Sequence, residues 1–147
     1  MALEFDRSIL GTEFDRTEHD PVTAEDLVSF ARALGETSPC YVGSGPGLIG
    51  HPTYCIRFRG GKFFPDNLPE RLRTRMSFDA GKDIEFGAPI RPGDRITVVS
   101  TLHDLYEKTG RSGTMVFVVV RFTMTNQQGE LVARVDNRMM YRGEGEA

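Results

Sequence analysis

Glu36, Tyr41 and His51 are the side chains best placed in sequence to move protons or hold a water, and they fall within sixteen positions of one another. General acid–base chemistry wants a group that titrates near neutrality. Of the three only an imidazole does so unaided, since a phenol has a reference pKa of about 10. Glu36 follows a helix end and reads either as a group that holds water or as a solvated residue. His51 stands between Gly50 and Pro52, in an irregular stretch. It reads either as a cavity-lining catalytic or ligand-binding group or as a hydrogen-bonded loop histidine. His19 has blander neighbours. His103 continues a polar strand face with Arg95, Thr97 and Thr101, where solvation is expected. Three scattered histidines without cysteine or carboxylate spacing make no metal site. Cys40 and Cys55 have no base nearby in sequence, so neither is expected to act as a nucleophile. Asp94, in Pro92-Gly93-Asp94, is expected to cap turn amides.

Cations concentrate in one stretch: Arg57, Arg59, Lys62, Arg71, Arg73 and Arg75, offset only by Asp66 and Glu70. Such a group could hold phosphates, or could solvate an exposed, partly extended segment. Gly45-Pro46-Gly47 lacks the lysine and helix of a phosphate-binding loop. Leu48, Ile49, Tyr54, Phe58, Phe63 and Phe64 could line an apolar tunnel or belong to the core.

The elements around these residues are legible. A weak strand pattern covers 12–18. Thr23 is placed as an N-cap, with Asp26 at N3 in a variant of the capping box. Leu27, Phe30, Ala31 and Leu34 mark one helical face, and Gly35 is placed to end the helix. From 39 to 66, closely spaced prolines and glycines predict a loop folded over something, with a short helical or extended piece around 53–58. Period-two patterns then predict four strands, over 84–90, 96–102, 115–124 and 131–141. Turn-like connections at 91–94, 108–113 and 126–129 predict antiparallel pairing, with the apolar run Met115–Val120 central and buried on both faces.

The 147 residues suit a single domain, 1–147, with one substantial core. A net charge of −3 argues against a nucleic-acid partner. There is no apolar run long enough to span a membrane, and the acidic N-terminus does not read as a signal peptide. Two unpartnered cysteines suit a reduced, cytoplasmic protein. An early helix followed by a long antiparallel sheet gives an α+β domain in which the sheet wraps the helix, the hot-dog arrangement.

The segment Gly35-Glu36-Thr37-Ser38-Pro39-Cys40-Tyr41 resembles the active-site turn of the MaoC-like (R)-specific enoyl hydratases and dehydratases, which reads roughly Gly-Asp-x-Asn-Pro-x-His. Pro52-Thr53-Tyr54 and the segment from Glu85 to Asp94 extend the resemblance. Here Gly35 and Pro39 keep the frame, while Glu36, Ser38 and Tyr41 replace the three working residues. Pro-x-Tyr resembles the N-terminal halves (FAS1-like dehydratase type) of two-part enzymes, including the non-catalytic subunits of mycolic-acid dehydratases and steroid side-chain hydratases. The resemblance implies a subunit of an enoyl-thioester hydratase/dehydratase that shapes an acyl pocket from Tyr41, Leu48, Ile49, His51, Pro52 and Tyr54. Arg57, Arg59, Lys62 and Arg73 would meet coenzyme A or carrier phosphates, as parts of the substrate; no separate cofactor and no metal is implied. A second hot-dog subunit, or a second copy of this chain, would complete the site, and a partner would supply the Asp and His. Three rival readings are a self-sufficient homodimeric hydratase using Glu36 and His51, a hot-dog thioesterase, and a non-enzymatic acyl-CoA-binding protein.

Overall fold

The computed structural model describes residues 4–74, 76–111 and 113–142; Arg75 of the basic stretch lies outside the described residues. Five antiparallel strands form one sheet: β1 (Glu13–Glu18), β2 (Phe78–Phe86), β3 (Thr97–Gly110), β4 (Gly113–Thr125) and β5 (Leu131–Arg142), in the order β1-β3-β4-β5-β2. The central strand is β4, and its consecutive Val118, Val119 and Val120 are all buried, as the apolar run predicts.

The helix α1 (Ala24–Ala33) starts where Thr23 Oγ1 accepts the Asp26 amide at 3.1 Å, and its first turn carries Glu25 and Asp26 against the positive end of the dipole. It ends at Gly35, whose φ of +82° favours glycine. Leu27 and Ala31 are fully buried, and Leu27 joins the inward row Val98, Leu102, Val118 and Val120 in one core. Burying a leucine side chain stabilises the fold by about 2 kcal/mol, so this apolar stripe, more than helix propensity, holds α1 against the sheet.

Three expectations need correction. The strand predicted over 84–90 runs instead over 78–86; its early residues alternate weakly because β2 is an edge strand with mostly exposed side chains. The turn at 91–94 does not join paired strands, because β2 pairs with β5 and β3 with β1 and β4. The chain instead crosses to the far side of the sheet there. Finally, the irregular stretch holds a short helix α2 (Pro39–Val42), and the basic segment beyond it forms α3 (Glu70–Thr74) instead of running extended; the short piece expected around 53–58 is present as a 3₁₀ helix (Pro52–Arg57).

On the outward face, Arg121 donates to both oxygens of Asp136, at 2.7 and 2.8 Å, and also to His103 Nε2 at 3.1 Å. Arg134 pairs with Glu85 and Arg138 with Asp83 across the β5–β2 edge. His103 is exposed, as its strand position predicts.

Candidate functional site

The turn after α1 and the loop at 49–52 converge. Gly50 makes this possible: a Cβ there would lie 3.0 Å from Leu27 and 3.3 Å from Ile90, and its amide donates to the Ile90 carbonyl at 2.7 Å. Ile49 in turn donates to the Cys40 carbonyl at 2.9 Å. These two bonds bring His51 to the turn. Its Nε2 lies 3.4 Å from Glu36 Oε1, and its ring centroid lies 5.2 Å from that of Tyr41. The structure therefore unites Glu36, Tyr41 and His51, with Ser38 nearby holding Cys40 Sγ at 3.1 Å.

The tautomer of His51 decides what this cluster can do. The Thr53 amide donates to Nδ1 at 3.3 Å, and the Thr53 hydroxyl lies 2.8 Å from the same nitrogen. An N–H can only donate, so Nδ1 carries the lone pair and Nε2 carries the proton, facing Glu36. His51 is thus the N-cap of the 3₁₀ helix, and the lone pair a general base needs is turned into the backbone. Beside it lies a small cavity of about 130 Å³, lined by Ile49, Pro52, Phe86, Pro89 and Val132, where the two motif segments around 50 and 88 meet.

A second, larger cavity of about 500 Å³ opens between the loop after the 3₁₀ helix and the inward face of β4 and β5. Phe122, Met124, Val135 and Met139 line its sheet side, with Ile56, Phe58 and Phe63 opposite. Ser77, Arg59, Lys82 and Asp79 are its polar lining residues, and Asn137 joins them from β5. The loop is tied to β1: His19 Nε2 donates to the Arg59 carbonyl at 2.9 Å, and the Gly61 amide lies 2.7 Å from Asp15 Oδ2 and 2.9 Å from Thr17 Oγ1. The seat is tight, since a Cβ on Gly60 would come within 2.4 Å of the buried Ser100 Oγ.

The remaining sequence candidates separate. Leu48 and Tyr54 are buried in the core; Tyr54 packs edge-on against Phe30 and Phe58, and burial pushes its phenol pKa up. The Arg57 guanidinium lies over the Tyr54 ring at 5.6 Å, Lys62 pairs with Asp66 at 2.8 Å, and Arg73 is exposed. Arg59 lines the larger cavity, and its guanidinium has no side-chain partner among the described residues. Cys55 is buried, which raises its thiol pKa and suits an inert core residue. Asp94 accepts from the Arg91 amide at 2.8 Å and from Gln127 at 2.9 Å, as a turn cap should. No group of His, Cys, Asp and Glu among the described residues could hold a metal ion, and no described helix is long and apolar enough to cross a membrane. Sequence reasoning missed Asn137 and the β1 anchors. The first was readable as the one polar residue in the alternation Ala133, Val135, Asn137, Met139, Tyr141, and the anchors as polar residues at alternate positions 15, 17 and 19.

A single sheet closing over a helix is the hot-dog arrangement of MaoC-like dehydratases. The chain superposes on the ChsH1-ChsH2 complex from Mycobacterium tuberculosis with a TM-score of 0.71 and 16% identity, covering 92% of this chain and 87% of that one. It matches the HadBC (3R-hydroxyacyl-ACP dehydratase) complex from the same organism at 0.67 and 21% identity, over 95% of this chain and all of that one. A MaoC-like dehydratase from Rhodospirillum rubrum gives 0.61 and 23% identity, over 92% and 94% of the two chains. The chain belongs to the family described as FAS1-like, dehydratase domain region, whose model matches residues 8–135. A UPF0336 protein of Streptomyces griseus is 28% identical over the full length of both chains, and one of Streptomyces coelicolor is 25% identical over the same span.

Proposed function

We propose that this chain is the substrate-embracing subunit of a heteromeric enoyl-thioester hydratase/dehydratase, and that a second hot-dog subunit supplies the catalytic Asp and His. One observation carries the reading: the imidazole at the turn has its lone pair engaged by Thr53, and Tyr41 stands at the other position where an imidazole is needed. Hydration adds water oxygen to the β-carbon and a proton to the α-carbon of the enoyl thioester. That requires a base facing the water and an acid facing the α-carbon. Glu36 alone, with its proton-bearing neighbour Nε2, supplies one carboxylate and no free lone pair on the ring. The larger cavity supports the subunit role. Its apolar walls suit an acyl chain, and Arg59 suits a phosphate of coenzyme A or of a carrier protein. Heteromeric assembly is a property of the ChsH1-ChsH2 complex, which shares this fold.

The test is loss of the conjugated enoyl absorbance of trans-2-enoyl-CoA substrates. The purified chain is assayed alone and then mixed with hot-dog proteins that carry an intact Gly-Asp-x-Asn-Pro-x-His turn. The expected result is no turnover alone and turnover with one such partner. Robust turnover by the chain alone, abolished by Glu36→Gln, would replace this reading with the homodimeric one. Release of free thiol in place of hydration would make it a thioesterase.

A further inference from the structure

The inward face of β5 places Ala133, Val135, Met139 and Tyr141 toward the interior, and Asn137 interrupts the row with a carboxamide. Its register partners are Val120, which is fully buried on β4, and Lys82 on β2. Beside this pair the β2–β5 ladder slips: pairing jumps from Asp79↔Met139 to Lys82↔Asn137, and Gly81 takes a φ of +99° to accommodate the bulge. A bulge bends an edge strand and leaves residues out of the ladder, and here it lies along the wall of the 500 Å³ cavity. The half-buried Asn137 carboxamide lines that cavity and has no side-chain hydrogen bond among the described residues.

The half-buried amide is open to the cavity, where water can meet it, and a ligand that displaces that water without replacing its hydrogen bonds loses affinity. A leucine or methionine would fill the position at no such cost if the pocket took a plain alkyl chain. The carboxamide offers both a donor and an acceptor, so it matches a hydroxyl or a keto oxygen equally well. Arg59 marks where a charged head group would lie, and Asn137 is an interior position of the same cavity, between Val135 and Met139.

Building on the acyl-pocket reading above, we infer that Asn137 is a specificity-determining residue that selects acyl thioesters bearing an oxygen function, hydroxyl or keto, within the chain. A site with an unpaired amide favours the ligand that pairs it and discriminates against the ligand that leaves it bare.

The test is calorimetric titration of the full-length chain with lauroyl-CoA and with hydroxylauroyl-CoAs and oxolauroyl-CoAs substituted at successive carbons. At least one oxygenated isomer is expected to bind about tenfold more tightly than lauroyl-CoA, the worth of roughly one good hydrogen bond. In Asn137→Leu that preference should vanish while lauroyl-CoA binds as well or better; in Ser77→Ala it should persist. The comparison among ligands on the unmodified chain stands even if Asn137→Leu fails to fold. Equal binding of all the thioesters, or a preference that survives in Asn137→Leu, overturns the inference and leaves the acyl pocket standing. Absence of binding by any acyl-CoA overturns the pocket itself, and the inference with it.

Discussion

The turn after α1 and the cavity under β4 and β5 are built on opposite terms. At the turn, polar groups are close together and largely engaged by their neighbours: His51 caps a 3₁₀ helix and faces Glu36, and Ser38 holds Cys40. In the cavity, apolar walls surround a few polar groups, and two of these, Arg59 and Asn137, have no side-chain partner among the described residues. A group whose hydrogen-bonding capacity is used within the chain mainly stabilises the chain. A group with unused capacity facing open volume is available to a ligand. By that measure the turn spends its polar groups within the chain, whereas the cavity keeps two of them open, which is the contrast the proposed acyl site rests on.

Filling the cavity gives the largest expected effect. Met139→Trp should place an indole in the space and weaken lauroyl-CoA binding about a hundredfold, or about 2.7 kcal/mol, by calorimetry. Unchanged affinity would move the acyl site elsewhere and undo the contrast.

The Arg121–Asp136 pair shows what a satisfied group does, and its signature is a pH profile. The Arg121 guanidinium, hydrogen-bonded to Asp136, holds that carboxyl below the usual carboxylate range. A depressed native pKa adds stability above the unfolded value of about 3.9, and that stability is lost as pH falls through the native value. Asp136→Asn should therefore lower stability at pH 7 by about 2 kcal/mol and flatten the acid limb of the Tm–pH curve below about pH 4. An unaltered acid limb would show that the pair contributes nothing.

Arg59→Ala should weaken acyl-CoA binding about tenfold and reduce its salt dependence, whereas Lys62→Ala, already paired with Asp66, should change it less than about twofold. Equal losses from both would mean that pairing within the chain does not distinguish the two cations.

The smallest effect is assigned to His51→Ala. Loss of the cap should lower stability by about 1 kcal/mol, while turnover of the assembled enzyme changes less than about twofold. A hundredfold drop in kcat at unchanged Tm would make the imidazole catalytic and reverse the comparison.

Much of the fold was legible because its signals are local. Thr23 and Asp26 announce the start of α1 and Gly35 its end, through hydrogen bonds and a backbone angle set within a few residues. The run at 115–120 marks the central strand of the sheet, although its outward-facing Met115 and Phe117 are only half-buried. The frame Gly35–Pro39 pointed to the family. Three things required the tertiary structure. The sheet order sends the chain across at 91–94, although the turn itself looks like a hairpin. His51 meets Glu36 only because Gly50 lets its loop approach α1 and residue 90. The loop on one side of the cavity is held to β1 by the Gly61 amide on Asp15 and Thr17, more than forty residues away. Turn type and periodicity are fixed by neighbouring residues, whereas which distant groups become partners, and which are left facing empty space, is fixed only when the sheet assembles.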